Sequence, residues 1–384
     1  MAIEQATFNV LLEAIERFIN EKLVPIEALV DKNDQVPEFV ISEMRELGLF
    51  GLSIPEKYGG LGLNMREEIE VAICLGLTTP AFRSVFGTNI GIGSQGIIMD
   101  GTEEQKAHYL PKLATGEIIS SFALTEPEAG SDAGSLQTSA RKDGDNYVLN
   151  GTKRYITNAP SADIFTLMAR TDPNASGTQG ITAFIIDRDT PGLSVGKPDK
   201  KMGQQGAKTA DVVLDDCVVP AQNIIGGVAG VGFKTAMKVL DRGRLHISGV
   251  SVGIAERLIR ECISYASDRK QFGKAISEFQ LIQAMLADSK AEAYAARCMV
   301  IDAAEKKDSG EVITLEAACS KMFSTEMVGK VADRAVQIFG GAGYIAEYPI
   351  ERLYRDVRLF RIYEGTTQIQ QLIIAREMLK NKTN

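Results

Sequence analysis

The chain has 384 residues, 45% hydrophobic and 24% charged, enough for two or three domains with substantial cores and ordinary for a soluble globular protein. A net charge of −8 argues against non-specific nucleic-acid binding, and no apolar run approaches the ~20 residues of a membrane span. The cysteines (Cys74, Cys217, Cys262, Cys298 and Cys319) never form a CxxC pair, which fits reduced thiols in a cytoplasmic protein, and two histidines, His108 and His246, are too few for a di-iron bundle with paired Glu-x-x-His motifs.

The opening MAIEQATFNVLLEAIERF is acidic and amphipathic, unlike a secretory signal. Phe8, Leu11, Leu12, Ile15, Phe18 and Ile19 recur at three and four residues, which makes one apolar helical stripe. Residues 1–120 are expected to form a helical domain, interrupted by the loop IPEKYGGLGLN. GTEEQKAHYLPKL opens on a threonine cap with acids in its first turn. GIGSQG (91–96) formally matches G-x-G-x-x-G, but it follows a helical stretch and has no acid on a second strand about 20 residues later. It is not read as a dinucleotide fingerprint.

Near residue 118 the texture changes. IISSFAL, NYVLNG, RYITN, DIFTLMAR, ITAFIID and ADVVLDD are short, β-branched and aromatic-rich, and Asp143-Gly144 and Asn150-Gly151 are the predicted hairpin turns. Residues 121–230 are therefore expected as a β domain, its last strand ending near Val219-Pro220. GGVAGVG (226–232) lacks the Lys-Ser/Thr end of a phosphate loop and reads as a linker. Beyond it, long helical periods at about 235–268, 279–307, 312–340 and 364–380 predict a four-helix bundle spanning 231–384. The class is α+β.

Between the last two helical periods stands RLFRIYEGTTQIQQ (358–371), where Gly365, Thr366 and Thr367 break the helix directly behind one carboxylate, Glu364. A solvated acid in a turn between helices is one reading of it, and a carboxylate presented for chemistry is the other.

LTEPEAGSDAGSLQTSA (124–140), YITNAP, SDRKQFGKAISEFQLIQ, QIFGGAGY and YEGTTQIQ, in this order over almost the whole chain, resemble the acyl-CoA dehydrogenases. The resemblance implies an N-terminal α domain, a β-barrel-like middle domain and a C-terminal four-helix bundle, assembled as a homotetramer with one FAD per subunit. It implies oxidation of an acyl-CoA to the 2-enoyl-CoA, as in fatty-acid β-oxidation, with electrons passed to an electron-transfer flavoprotein. By resemblance Glu364 is the base that takes the proton beside the thioester carbonyl, and its own backbone N–H is one donor to the thioester oxygen. Branched-chain members carry the base inside a motif like LDLERL. Here that stretch is LDRGRL, with Gly243 at the corresponding place.

The same resemblance assigns Thr125, Ser131, Tyr155, Thr157, Thr366 and Gln368 to the flavin. It assigns Arg269, Gln271, Phe272, Gln337, Gly340 and Gly341 to the dinucleotide end, with Arg269, Gln271 and Phe272 lent by a neighbouring subunit. Ser131, Leu240, Asp241, Arg244, Gly365 and Arg376 match substrate-contacting positions. Arg83-Ser84, in PAFRSVFG, falls on an Arg-Ser pair of the glutaryl-CoA dehydrogenases, although their hydroxyl one turn later is replaced by Gly87. A dicarboxylyl-CoA substrate, with or without decarboxylation, is thus an alternative to a monocarboxylyl one. The room beside Gly87 is expected to favour a chain longer than glutaryl. A DNA-associated member of the superfamily would need a basic face and a further domain, and an oxidase is expected to carry extra C-terminal helices. No metal site and no membrane contact are expected.

Overall fold

The computed structural model describes residues 3–380. The N-terminal part comprises helices α1 (Gln5–Phe18), α2 (Glu27–Asn33), α3 (Glu38–Glu46), α4 (Met65–Leu75), α5 (Pro80–Gly87), α6 (Gln95–Asp100) and α7 (Glu103–Thr115). The expected stripe of α1 turns inward through Phe8, Ile15 and Phe18. α4 and α7 each begin with a capping box, Asn64 with Glu67 and Thr102 with Gln105, so the orphan N–H groups of their first turns are satisfied locally. α5 starts on the Thr79 side chain and Pro80, buries Phe82 and Phe86, and runs into a π-helical turn over Thr88–Gly93. GIGSQG lies in that helical run, without a preceding strand.

Strands β1 (Ser120–Ala123), β2 (Ser139–Asp143), β3 (Asn146–Thr157), β4 (Ile164–Arg170), β5 (Ile181–Asp187), β6 (Leu193–Val195) and β7 (Thr209–Pro220) follow. Among the described residues they make one seven-stranded sheet in the order β1-β4-β2-β3-β7-β6, with β5 on β4. β4 and β5 are buried almost throughout, which explains their unbroken apolar runs. Asp143-Gly144 does form the β2–β3 hairpin, closing on the pair Asp143–Asn146 with Gly144 at φ 58°. Asn150-Gly151 does not turn. It lies inside β3 at a bulge against β7, where a Cβ on Gly151 would stand 2.5 Å from Thr138 Oγ1. The glycine serves close backbone approach rather than reversal.

The C-terminal part holds α8 (Gly232–Asp268), the small hairpin β8 (Lys270–Gln271) and β9 (Lys274–Ala275), then α9 (Gln280–Asp308), α10 (Thr314–Phe339), α11 (Pro349–Val357) and α12 (Thr367–Lys380). α11 is a short helix that the periodicity did not reveal. Alanines on α9 and α10, among them Ala293, Ala296, Ala303, Ala317 and Ala332, are fully buried and let these helices pack closely. α8 also crosses α4 almost backbone to backbone: a Cβ on Gly253 would lie 2.0 Å from the Ile73 carbonyl oxygen. One 37-residue helix therefore touches both helical parts of the chain and carries side chains to the space between them. Among the described residues no helix is long and apolar enough to cross a membrane.

Candidate active site

The break before α12 is a left-handed turn. Glu364 sits at φ 56° and Gly365 at φ 86°. For glutamate this conformation costs about 1–2 kcal/mol, so surrounding contacts must impose it. They are visible on its two carbonyls. The Glu364 oxygen accepts from Gln370 Nε2 at 3.0 Å and from Arg244 Nε at 3.4 Å. The Gly365 oxygen accepts from Lys321 Nζ at 2.7 Å and from Gln370 Nε2 at 3.0 Å.

The carboxylate so aimed lies over Gly243 of α8. A Cβ at 243 would stand 2.7 Å from Glu364 Oε2 and 3.1 Å from Oε1. Oε2 is enclosed and accepts no hydrogen bond from the described residues. Burial pushes the Glu364 carboxyl above the usual carboxylate range, while Arg83, Arg244 and Lys321 pull it back. An enclosed, unpartnered carboxylate near cations can accept a proton and still be ionised when needed. A solvated acid in a turn has neither property.

Arg83 reaches toward the same carboxylate from α5. Its guanidinium folds over Gly87, where a Cβ would lie 2.9 Å from Cζ. The room expected beside Gly87 is therefore filled by Arg83 itself, because a flexible arginine collapses onto a helix surface without a side chain. Arg83 Nε is buried without a partner among the described residues. Burial lowers its pKa, and Tyr363 and Glu364 oppose that shift. Behind it, Glu68 of α4 is fully buried between Arg242, which donates to Oε1, and His246, whose Nε2 lies 2.7 Å from Oε2. Burial, with Arg83 and Arg242 nearby, holds the His246 imidazole well below its usual pKa.

Asp241 and Arg244 pair with each other at 2.5 Å, and Thr314 Oγ1 donates to Asp241 at 2.9 Å. The geometry thus brings Arg244 to the Glu364 turn, with Leu240 partly buried one turn earlier on α8. Arg376 stands ten residues past Thr366, about 15 Å along α12, exposed and donating to Glu377. Thr366 Oγ1 accepts from Ile369 N at 3.3 Å and so opens α12, while Gln368 is exposed.

On the sheet, Arg154 N donates to the Thr125 carbonyl at 2.8 Å, which ties Thr125 to β3 beside Tyr155. A register shift between Lys153 and Ile156, with Tyr155 at φ 59°, swings the Tyr155 ring outward to 65% exposure. Beneath them the buried Lys153 donates to Glu126 at 2.7 Å and to the Leu124 carbonyl at 3.1 Å, and Glu126 accepts from Gln137 N and Thr138 N. Asn158 Nδ2 reaches across to the Ser84 and Val85 carbonyls of α5. Ser131 lies exposed in the adjoining loop.

Arg269, Gln271 and Phe272 line a separate surface cleft of about 1070 Å³ together with Gly340 and Gly341. Phe272, at φ 52°, is 94% exposed. Gln337 is exposed on the last turn of α10. None of Thr125, Ser131, Tyr155 or Thr157 lines that cleft.

Family profiles match most of the chain: acyl-CoA dehydrogenase N-terminal domain over residues 6–117, middle domain over 121–217 and C-terminal domain over 230–379. The chain belongs to the acyl-CoA dehydrogenase family. Members are flavoprotein oxidoreductases acting on CH–CH bonds. Among relatives, the 3-(aryl)acrylate reductase of Clostridium sporogenes is 42% identical over 370 residues, covering 94% of this chain and 96% of that protein. The caffeyl-CoA reductase-Etf complex subunit CarC of Acetobacterium woodii is 41% identical over 377 residues, covering 97% of this chain and 98% of that one. The butyryl-CoA dehydrogenase structure from Megasphaera elsdenii superposes with a TM-score of 0.94 at 37% identity over 99% of both chains.

Sequence reasoning missed Lys321, Gln370, Glu68 and the Lys153–Glu126 pair. For Lys321 a signal existed: it falls in the row Ala317, Lys321, Ser324, Val328 and Ala332, at the three- and four-residue spacing of a buried face.

Proposed function

We propose that this protein is a FAD-dependent enzyme interconverting an acyl-CoA and its 2-enoyl-CoA, with Glu364 moving the proton at the carbon beside the thioester carbonyl. The observation that carries the reading is the Glu364 carboxylate, held in a left-handed turn over Gly243 with Oε2 enclosed and unpartnered. The donor chemistry suits a flavin: Thr125, tied by its carbonyl to the β3 strand that carries Tyr155 and Thr157, for the ring end, and Arg269 with the small Gly340 and Gly341 around the separate cleft for a dinucleotide tail. When bound, FAD supplies the two-electron acceptor or donor for the β-carbon. Glu364 takes the α-proton in oxidation and returns it in reduction. Its turn directs its backbone N–H, the proposed donor to the thioester oxygen, and Arg83, Arg244 and Lys321 favour its ionised form. The exchange of electrons with an electron-transfer flavoprotein is proposed from the relative that is a subunit of an Etf complex. The reductase names among the relatives support a reductive physiological direction as strongly as an oxidative one.

Separation of the two flavin-binding groups on one chain supports a homotetramer in which Arg269, Gln271 and Phe272 complete a neighbour's site. Free cysteines fit a cytoplasmic setting. Arg83, whose Nε is buried and unpartnered among the described residues, supports a substrate whose acyl group ends in a carboxylate. The test combines Glu364→Gln with a thioester panel. Purified wild type is expected to be yellow and to react with a monocarboxylyl or dicarboxylyl CoA ester. Glu364→Gln is expected to keep FAD and bind the ester but lose flavin reduction by several orders of magnitude. Near-normal reduction in the variant would place the base elsewhere.

A further inference from the structure

Lys321 lies on the inner face of α10 at 0% exposure, between the fully buried Ala317 and Thr325. Its ammonium makes one hydrogen bond among the described residues, to the Gly365 carbonyl. A buried cation with one neutral acceptor is costly. Burial drives its pKa down to about 8, opposed by Glu364 and Glu326 and reinforced by Arg244. A hydrogen bond alone does not account for a lysine here, because the neutral Gln370 already donates to the same carbonyl at 3.0 Å. What Gln370 lacks is charge. The other two cations facing Glu364 are arranged differently: Arg244 of α8 is matched by Asp241, and Arg83 of α5 is folded onto Gly87.

We propose that Lys321 is the positioning residue of the base: its hydrogen bond to Gly365 holds the left-handed turn, and its charge keeps the Glu364 carboxylate ionised. The proposal rests on the reading of Glu364 as the base, and extends it to a residue that acts through the Glu364–Gly365 turn. The groups that set Glu364's ionisation are then Arg83, Arg244 and Lys321, one from each of three helices, with the Tyr363 phenol beside them.

The protonated-carboxyl infrared band present in wild-type holoenzyme and absent from Glu364→Gln reports Glu364 without any need for turnover. Removing a neighbouring positive charge disfavours the carboxylate, so Lys321→Met is expected to move the midpoint at which this band disappears to higher pH. Lys321→Gln, which keeps a donor for Gly365, is expected to move it likewise, and serves alone should Lys321→Met fail to fold. Lys321→Arg is expected to restore the wild-type midpoint. Lys321→Met is also expected to lower flavin reduction at pH 7 by about tenfold or more. A merely structural lysine would lower Tm and leave the midpoint unmoved, and an unmoved midpoint in Lys321→Met or Lys321→Gln overturns the proposal. Retained flavin reduction in Glu364→Gln would instead overturn the base assignment and leave the infrared result standing.

Discussion

At the scale of single residues, Arg83 has two effects that one substitution would mix. It faces Glu364, so its loss raises the Glu364 pKa for every substrate, and under the proposed reading its guanidinium, with Nε unpartnered among the described residues, meets a terminal carboxylate. Measuring above the acidic limb of the pH profile removes the first effect. Under those conditions Arg83→Ala is expected to lower kcat/KM for a dicarboxylyl-CoA by about 2–4 kcal/mol of transition-state binding more than for a monocarboxylyl-CoA of equal length. Equal losses on both would limit Arg83 to electrostatic support of Glu364. Gly243 and Gly87 belong to the same account: each leaves room that a neighbouring charged side chain occupies, the Glu364 carboxylate in one case and the Arg83 guanidinium in the other.

Among the elements, β3 does the most to assemble the surface proposed to face the flavin. Its bulge turns Tyr155 outward, while Lys153, one residue before Arg154, points inward to Glu126 and ties the strand to the loop after β1. Both partners are almost wholly buried, so the pair itself adds little net stability, but breaking it strands a carboxylate. Lys153→Met is expected to cost about 3–5 kcal/mol in urea unfolding and to weaken FAD retention, because the Leu124–Glu126 segment that carries Thr125 loses its tie to β3. The companion change Glu126→Gln in the Lys153→Met background should recover much of the loss. No difference between the single and double variants would mean that solvent reaches Glu126 once the lysine is gone.

Across the whole molecule, three regions meet at a buried polar joint. Asp356 of α11 accepts from the Thr79 hydroxyl at 2.9 Å and from Gln204 N in the loop before β7. Glu27 of α2 accepts from Thr78, Thr79 N and Arg352. Burial raises the Asp356 carboxyl from 3.8 to about 6, against the pull of its hydrogen bonds and of Arg355 and Arg352. A carboxyl whose folded pKa exceeds its unfolded one binds the extra proton in the native state. Its contribution to stability is complete below about 3.8 and is lost as pH rises through about 6. Asp356→Asn carries no such titration. Relative to that variant, wild type is expected to lose on the order of 3 kcal/mol between these limits, read as the pH dependence of the difference in Tm. A difference that stays flat over this range would show Asp356 ionised throughout, with its charge met inside the joint.

The architecture, and the helix break that presents Glu364, were legible in the chain itself. Periodicity marked α1, α8, α9 and α10, β-branched runs marked β4, β5 and β7, and a glycine and two threonines behind Glu364 marked the break in the helix, because these signals are local and set by backbone preference. Local signals also misled: Asn150-Gly151 has turn chemistry, yet Thr138, twelve residues before Asn150, turns its glycine into a place of close packing. What only the tertiary structure decided is which charges face Glu364. Arg83, Arg244 and Lys321 come from three helices separated by up to 238 positions along the chain, and whether a lysine is solvated or buried beside a carboxylate depends on what packs over it. The folding of Arg83 onto Gly87 has the same origin. Sequence shows that a side chain is missing at 87, and only packing shows what takes its place.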